Sequence, residues 1–221
     1  TDQWAEAYKS FGVKGAVITA KHGCGHLLWP TKVTFDDGSP YTYCVGKKDS
    51  AVKQDVLALF TASMQKANIT HGFYYSFTNN FYMNVASHMA GHSKTLLKGQ
   101  VNVSQAEFER IALAQVKELW TNYGQLGEIW FDGGYGGDVG PAIKKLIQNQ
   151  KLAVGFGGAG VIDSPVGWVG TESGLPGGRE IWSIGNTAPT ANTWQPIACD
   201  TTLQIGDTWY VLICSLLVET I

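Results

Sequence analysis

The octapeptide GEIWFDGG, Gly127 to Gly134, sets an acid directly behind three bulky apolar residues and in front of two glycines. Ile129, Trp130 and Phe131 read as a short strand buried on both faces. Gly133 and Gly134 end that strand and leave the backbone open to close approach. Asp132 is therefore expected at the C-terminal end of a buried strand, where parallel α/β sheets and barrels bind their ligands. On its own the octapeptide fits a turn or capping aspartate better. The flanking sequence reverses that balance.

Upstream, Trp4, Ala7, Tyr8 and Phe11 have the spacing of a helix over 2–11, and a strand follows through Ala16–Ala20. Residues 23–50 are rich in Gly, Pro and Asp and read as a long loop. Val52, Val56, Leu59, Phe60 and Met64 predict a helix within 49–68, capped by Asp49 or Ser50. ITHGFYYSF is the next strand, and 77–103 is another long loop. Ser104 and Glu107 form an S-x-x-E capping box that opens a helix over 105–122. Beyond Asp132 a helix is expected over 140–151, with strands in LAVGFGG and VGWVGTESG and further ones near WQPIACDTTL and DTWYVLIC.

This alternation predicts an α/β fold with a parallel sheet and right-handed crossovers. Long loops after the strands point to a (β/α)8 barrel, with residues 1–221 forming a single domain. A Rossmann sheet is the competitor, because GFGGAG (155–160) fits G-x-G-x-x-G. Pro165 stands where the following helix should run, and no acid ends a second strand about twenty residues on, as that fingerprint requires. A full barrel takes about 250 residues. The chain is therefore expected to hold an incomplete barrel without its first strand and last βα units.

Composition narrows the function. With 44% hydrophobic and 15% charged residues, disorder is excluded. A net charge of -2 without a basic cluster gives no reason to expect a nucleic-acid partner. The tail VLICSLLVETI is too short to span a membrane. Cys24, Cys44, Cys199 and Cys214 form no C-x-x-C pair, and the HGCGH stretch fits no common zinc spacing, so no metal is expected. Sequons at Asn68 and Asn102 lean towards a secreted glycoprotein, and no signal peptide is legible. Cys24 and Cys44 flank one long loop, and a disulfide between them is expected, since closing such a loop contributes about 3 kcal/mol.

Four strand ends carry reactive or aromatic groups: Lys21-His22, Tyr74-Tyr75, Asp132 and Glu172. A barrel would bring them to one rim. Two carboxylates and a histidine beside aromatic rings suit glycoside hydrolysis. One carboxylate attacks the anomeric carbon or activates water, while the other, protonated, donates to the leaving oxygen.

GVKGAVITAKHGCGHLLWPTKVT, HGFYYS, LWTNYGQLGEIWFDGG and GWVGTESG resemble, in order, the motifs of α-L-fucosidases of glycoside hydrolase family 29, with eukaryotic, fungal- or plant-like members nearest. The resemblance covers about residues 1–210. It implies a (β/α)8 barrel and a retaining enzyme that releases terminal α-L-fucose without a cofactor. Asp132 maps onto the nucleophile and Glu172 onto the acid/base, with Glu180 in reserve. His22 matches the first sugar-contacting histidine of the family's K-H-H-D-G-F, and Gly23 replaces the second. The sugar-contacting tyrosine is Tyr74 or Tyr75, and His26, Trp29 and Trp209 complete the expected substrate-binding set. The implied partner is a fucosylated glycan or polysaccharide, and the implied compartment is extracellular, or lysosomal or vacuolar. A strand ending in H-W-G is expected before the start of this chain, and from Val211 the sequence departs from the family. The resemblance thus describes a chain truncated at both ends. The alternative is a carbohydrate-binding barrel, or a truncated product, without activity.

Overall fold

The structure, a computed structural model, describes residues 1–132, Ala142, Lys145 and the stretches 153–157, 167–171 and 197–201. It divides into two compact units, Thr1–Ser164 and Pro165–Ile221. In the first, helix α1 (Asp2–Ser10) leads into strand β1 (Gly15–Lys21), helix α2 (Val56–Lys66) and strand β2 (Thr70–Ser76). A small antiparallel hairpin, β3 (Val85–Ala86) and β4 (Met89–Ala90), precedes helix α3 (Gln105–Asn122). Strands β5 (Glu128–Asp132) and β6 (Ala153–Gly157) complete a parallel four-stranded sheet in the order β1-β2-β5-β6. In the second unit, β7 (Gly167–Thr171) pairs in parallel with β8 (Ile197–Thr201). The α/β class with a parallel sheet is as expected.

Side-chain alternation along β2 and β5 sets the layers. Phe73, Tyr75, Ile129 and Phe131 are fully buried on the face that carries α3. There Tyr75 bonds Gln115, while the Phe131 ring packs beside Trp120. Phe108, Ile111, Val116 and Leu119 bring the apolar stripe of α3 to this core, each contributing about 1.5–3 kcal/mol by leaving water. Trp130 and Asp132 alternate onto the other face and are only half-buried. β5 is thus buried on one face, not on both as its apolar run predicts. Gly72 lies within this pairing, and a side chain there would collide with the Glu128 carbonyl of β5.

Three local expectations change. Helix α2 begins at Val56, with Asp55 as its cap accepting from the Ala58 amide. Val52, which carries the same apolar period, is 42% exposed, so it gains too little from burial to extend the helix to 49. Ser104 caps α3 as expected, accepting from the Glu107 amide at 3.1 Å. Glu107 does not close the box but accepts from the Asp36 amide at 2.7 Å, pinning the loop after β1 to α3. The expected disulfide is not formed. Cys24 is an exposed free thiol, and Cys44 is buried with its Sγ donating to the Tyr41 carbonyl. Cys44 pairs along the chain with Leu27, so the loop is already closed by backbone contacts. Ala142 and Lys145 are helical; the rest of the helix expected over 140–151, and the DTWYVLIC strand, lie outside the described residues.

Candidate active site

Asp132 ends β5 in register with Ser76 of β2 and Gly157 of β6. Its carboxylate accepts a hydrogen bond from the Tyr74 hydroxyl. Its carbonyl accepts from the Thr78 hydroxyl at 3.1 Å. The ring of His22, exposed at the end of β1, stacks on Tyr74 with centroids 5.5 Å apart and planes 3° from parallel. His22, Tyr74 and Asp132 therefore form one connected group at the C-terminal ends of three neighbouring parallel strands. An exposed imidazole stacked on the tyrosine that bonds the carboxylate offers a ligand a stacking surface, hydrogen-bonding groups and an anionic oxygen in one connected group.

Tyr74 and Tyr75 are adjacent, so alternation sends them to opposite faces. Tyr75 is fully buried in the α3 layer, its hydroxyl donating to Gln115 at 2.7 Å. Trp29 is 1% exposed, and its Nε1 donates to Glu118 of α3 at 2.8 Å. Both side chains are buried and bonded to residues of α3, and of the two tyrosines Tyr74 is the one bonded to Asp132. His26 is half-buried edge-on to Tyr43, and burial pushes its pKa below the ordinary value. Glu172, Glu180 and Trp209 lie outside the described residues. Among the described residues no three His, Cys, Asp or Glu side chains gather to hold a metal, and no helix is long and apolar enough to cross a membrane.

Two supporting residues, Thr78 and Glu118, give no signal in the sequence, and a third, Lys21, reads there in another role. Thr78 gives no sequence signal, because its role depends on where the chain turns after β2. Lys21 is expected with His22 as a reactive strand end at the rim, and the structure buries it instead. Glu118 sits on α3 and accepts from Trp29 Nε1, from the Thr31 hydroxyl at 2.6 Å and from the Lys32 amide at 2.8 Å. It staples the WPTK segment to the helix layer. Glu118→Ala strands a buried indole N–H and two further donors, so a loss of about 2–4 kcal/mol is expected, read as a lower urea midpoint.

Lys21 is 1% exposed. Burial pushes its amine down to about 7, opposed by the nearby Cys24 and Asp132. The unfolded amine keeps its proton to far higher pH, so above about pH 7 the unfolded chain binds more protons and stability rises with pH. His26 and His71, lowered by burial, act in the same sense only below about 6.5. Cys44 and the tyrosines Tyr41, Tyr75 and Tyr123 are raised by burial and act oppositely, above about 8.5. Between pH 7 and 8.5 the unfolding free energy should therefore rise by on the order of 1–2 kcal/mol. In Lys21→Met that rise should vanish.

The sequence profile of α-L-fucosidases matches residues 1–158. The chain belongs to the α-L-fucosidase family. Among curated relatives, α-L-fucosidase 1 of Arabidopsis thaliana is 29% identical over 94% of this chain and 40% of its own length. The plasma α-L-fucosidase of Homo sapiens is 29% identical over 60% of this chain and 25% of its own length. Among solved structures, a glycoside hydrolase 29 family member from an unknown rumen bacterium superposes with a TM-score of 0.56 at 25% identity. That match covers 78% of this chain and 30% of the other. The chain thus spans about two fifths of the Arabidopsis fucosidase, and the family match includes the whole His22–Tyr74–Asp132 group.

Proposed function

We propose that this protein is a retaining glycosidase that releases terminal α-L-fucose from glycans, built on a (β/α)8 barrel to which the four-stranded sheet belongs. The observation that supports it best is the Asp132 carboxylate, held by Tyr74 at the end of a parallel strand within the segment that matches the fucosidases. In this reading an Asp132 oxygen attacks the anomeric carbon as the bond to the leaving oxygen breaks. Glu172 gives its proton to that oxygen. The resulting fucosyl ester is hydrolysed by water, whose proton returns to Glu172. His22 and Tyr74 line the sugar, and Tyr74 also fixes the nucleophile. The steps require no cofactor or metal. A secreted, lysosomal or vacuolar location suits a glycan substrate, and one relative is named a plasma enzyme.

Release of 4-nitrophenol from its α-L-fucoside tests the reading, with the β-L-fucoside and α-L-rhamnoside as controls. No release from folded protein, or equal release from all three, would sink it. Tyr74→Phe removes one hydrogen bond to the carboxylate and keeps the ring under His22. A charge-assisted bond contributes about 1.5–3 kcal/mol, so kcat/KM should fall roughly 10- to 100-fold. A smaller loss from Tyr74→Phe than from Tyr75→Phe would contradict this placement.

A further inference from the structure

Lys21 ends β1 inside the protein, and among the described residues it makes no ion pair. Its Nζ donates to the carbonyls of Ser76 and Asn79, each at 2.5 Å, and lies 5.1 Å from the centre of the Tyr75 ring. The groups facing it are Cys24 from the loop after β1, Tyr75 and the two carbonyls from β2 and its following turn, and Asp132 from β5. Ser76 is the register partner of Asp132. Thr78, between the two carbonyls that Lys21 grips, is the residue that holds the Asp132 carbonyl. The same segment is tied down beyond the turn. Phe81 and Tyr82 donate their amides to the carbonyls of Gly23 and Cys24 at 2.8 and 3.2 Å, and the His88 amide donates to the Thr78 carbonyl at 2.8 Å.

Burying an amine costs free energy that an apolar side chain of the same length would not. The return on that cost is geometric. Two donors on one nitrogen fix two carbonyls three residues apart, which sets the turn between them. We infer that Lys21 is a positioning residue for Asp132: it fixes the turn after β2, and through Thr78 that turn fixes the end of β5 from which the carboxylate projects. The inference rests on Asp132 being the nucleophile. A displacement of about 1 Å in a reacting group can cost on the order of 100-fold in rate.

Lys21→Met keeps the length and removes both donors. The expected result is a kcat on 4-nitrophenyl α-L-fucoside lowered roughly 10- to 100-fold, with KM within about threefold of wild type. The Phe81, Tyr82 and His88 amides should exchange with solvent about tenfold or more faster, while those of Val116 and Leu119 in α3 keep their protection. Thr78→Val removes the strut but leaves Lys21 in place. It should lower kcat in the same direction without loosening the turn. Wild-type exchange of Phe81, Tyr82 and His88 in Lys21→Met overturns the inference. So does an equal loss of protection in α3, which would assign Lys21 to general stability. If Lys21→Met does not fold, Thr78→Val decides, and an unchanged kcat there overturns it. If wild type cleaves no fucoside, the nucleophile reading fails by itself, and exchange alone decides whether Lys21 holds the turn.

Discussion

Asp132→Ala is expected to lower turnover of 4-nitrophenyl α-L-fucoside by roughly 10⁴-fold or more, because no covalent fucosyl-enzyme can form without the carboxylate. The fold should survive. Asp132 is half-buried, and its side chain is held by a hydroxyl that water can serve once the carboxylate is gone. The urea midpoint should therefore stay near wild type. Azide added to this variant should restore part of the activity and yield β-L-fucosyl azide. The small anion enters the space of the missing carboxylate and attacks from the face it occupied. An α-azide product, or a variant that retains turnover without azide, would move the nucleophile away from Asp132.

Glu172→Ala carries the second large effect, and its form matters more than its size. A general acid contributes roughly 10²- to 10⁴-fold when the leaving group needs its proton. Natural fucosylated glycans leave as poorly stabilised alkoxides and should lose that full factor. The 4-nitrophenyl fucoside leaves as a stable phenolate and should lose far less at the first step. Azide should then give the α-azide by attacking the fucosyl-enzyme from the open side. If both substrates lose activity equally, Glu172 is not the acid, and the same comparison passes to Glu180.

Much of the first unit was legible in local sequence. Gln105–Asn122 is a helix whose start is marked by Ser104, because a cap needs only a side-chain oxygen within three residues of the amide it serves. β1, β2 and β5 appear where apolar runs meet glycine or a turn, since strand character depends on neighbouring side chains. The position of Asp132 at a strand end belongs to the same class. The misjudged helix start at Asp55 has the opposite origin. Apolar period alone cannot tell whether Val52 finds a core to pack against, and it does not.

Sequence by itself determined the alternation of strands and helices, the strand that carries Asp132 and the ordered motifs that mark the fucosidase family. All of these are written in residues close together along the chain. Tertiary structure decided which member of each local pair faces the site. Tyr74 and Tyr75 are equivalent in sequence, and only the register of β2 against β5 sends the first to Asp132 and the second to Gln115. Trp29 reads equally as core or as sugar platform in sequence, and its burial against Glu118, far along the chain, comes only from folding. Cys24 and Cys44 had a suitable loop for a disulfide, but folding leaves the Cys24 thiol exposed and buries Cys44, whose Sγ donates to the Tyr41 carbonyl. Lys21 reads with His22 as a reactive strand end at the rim, and the turn after β2 makes it a buried peg. Side-chain period is a property of one strand, whereas the face it meets depends on partners brought together only by folding.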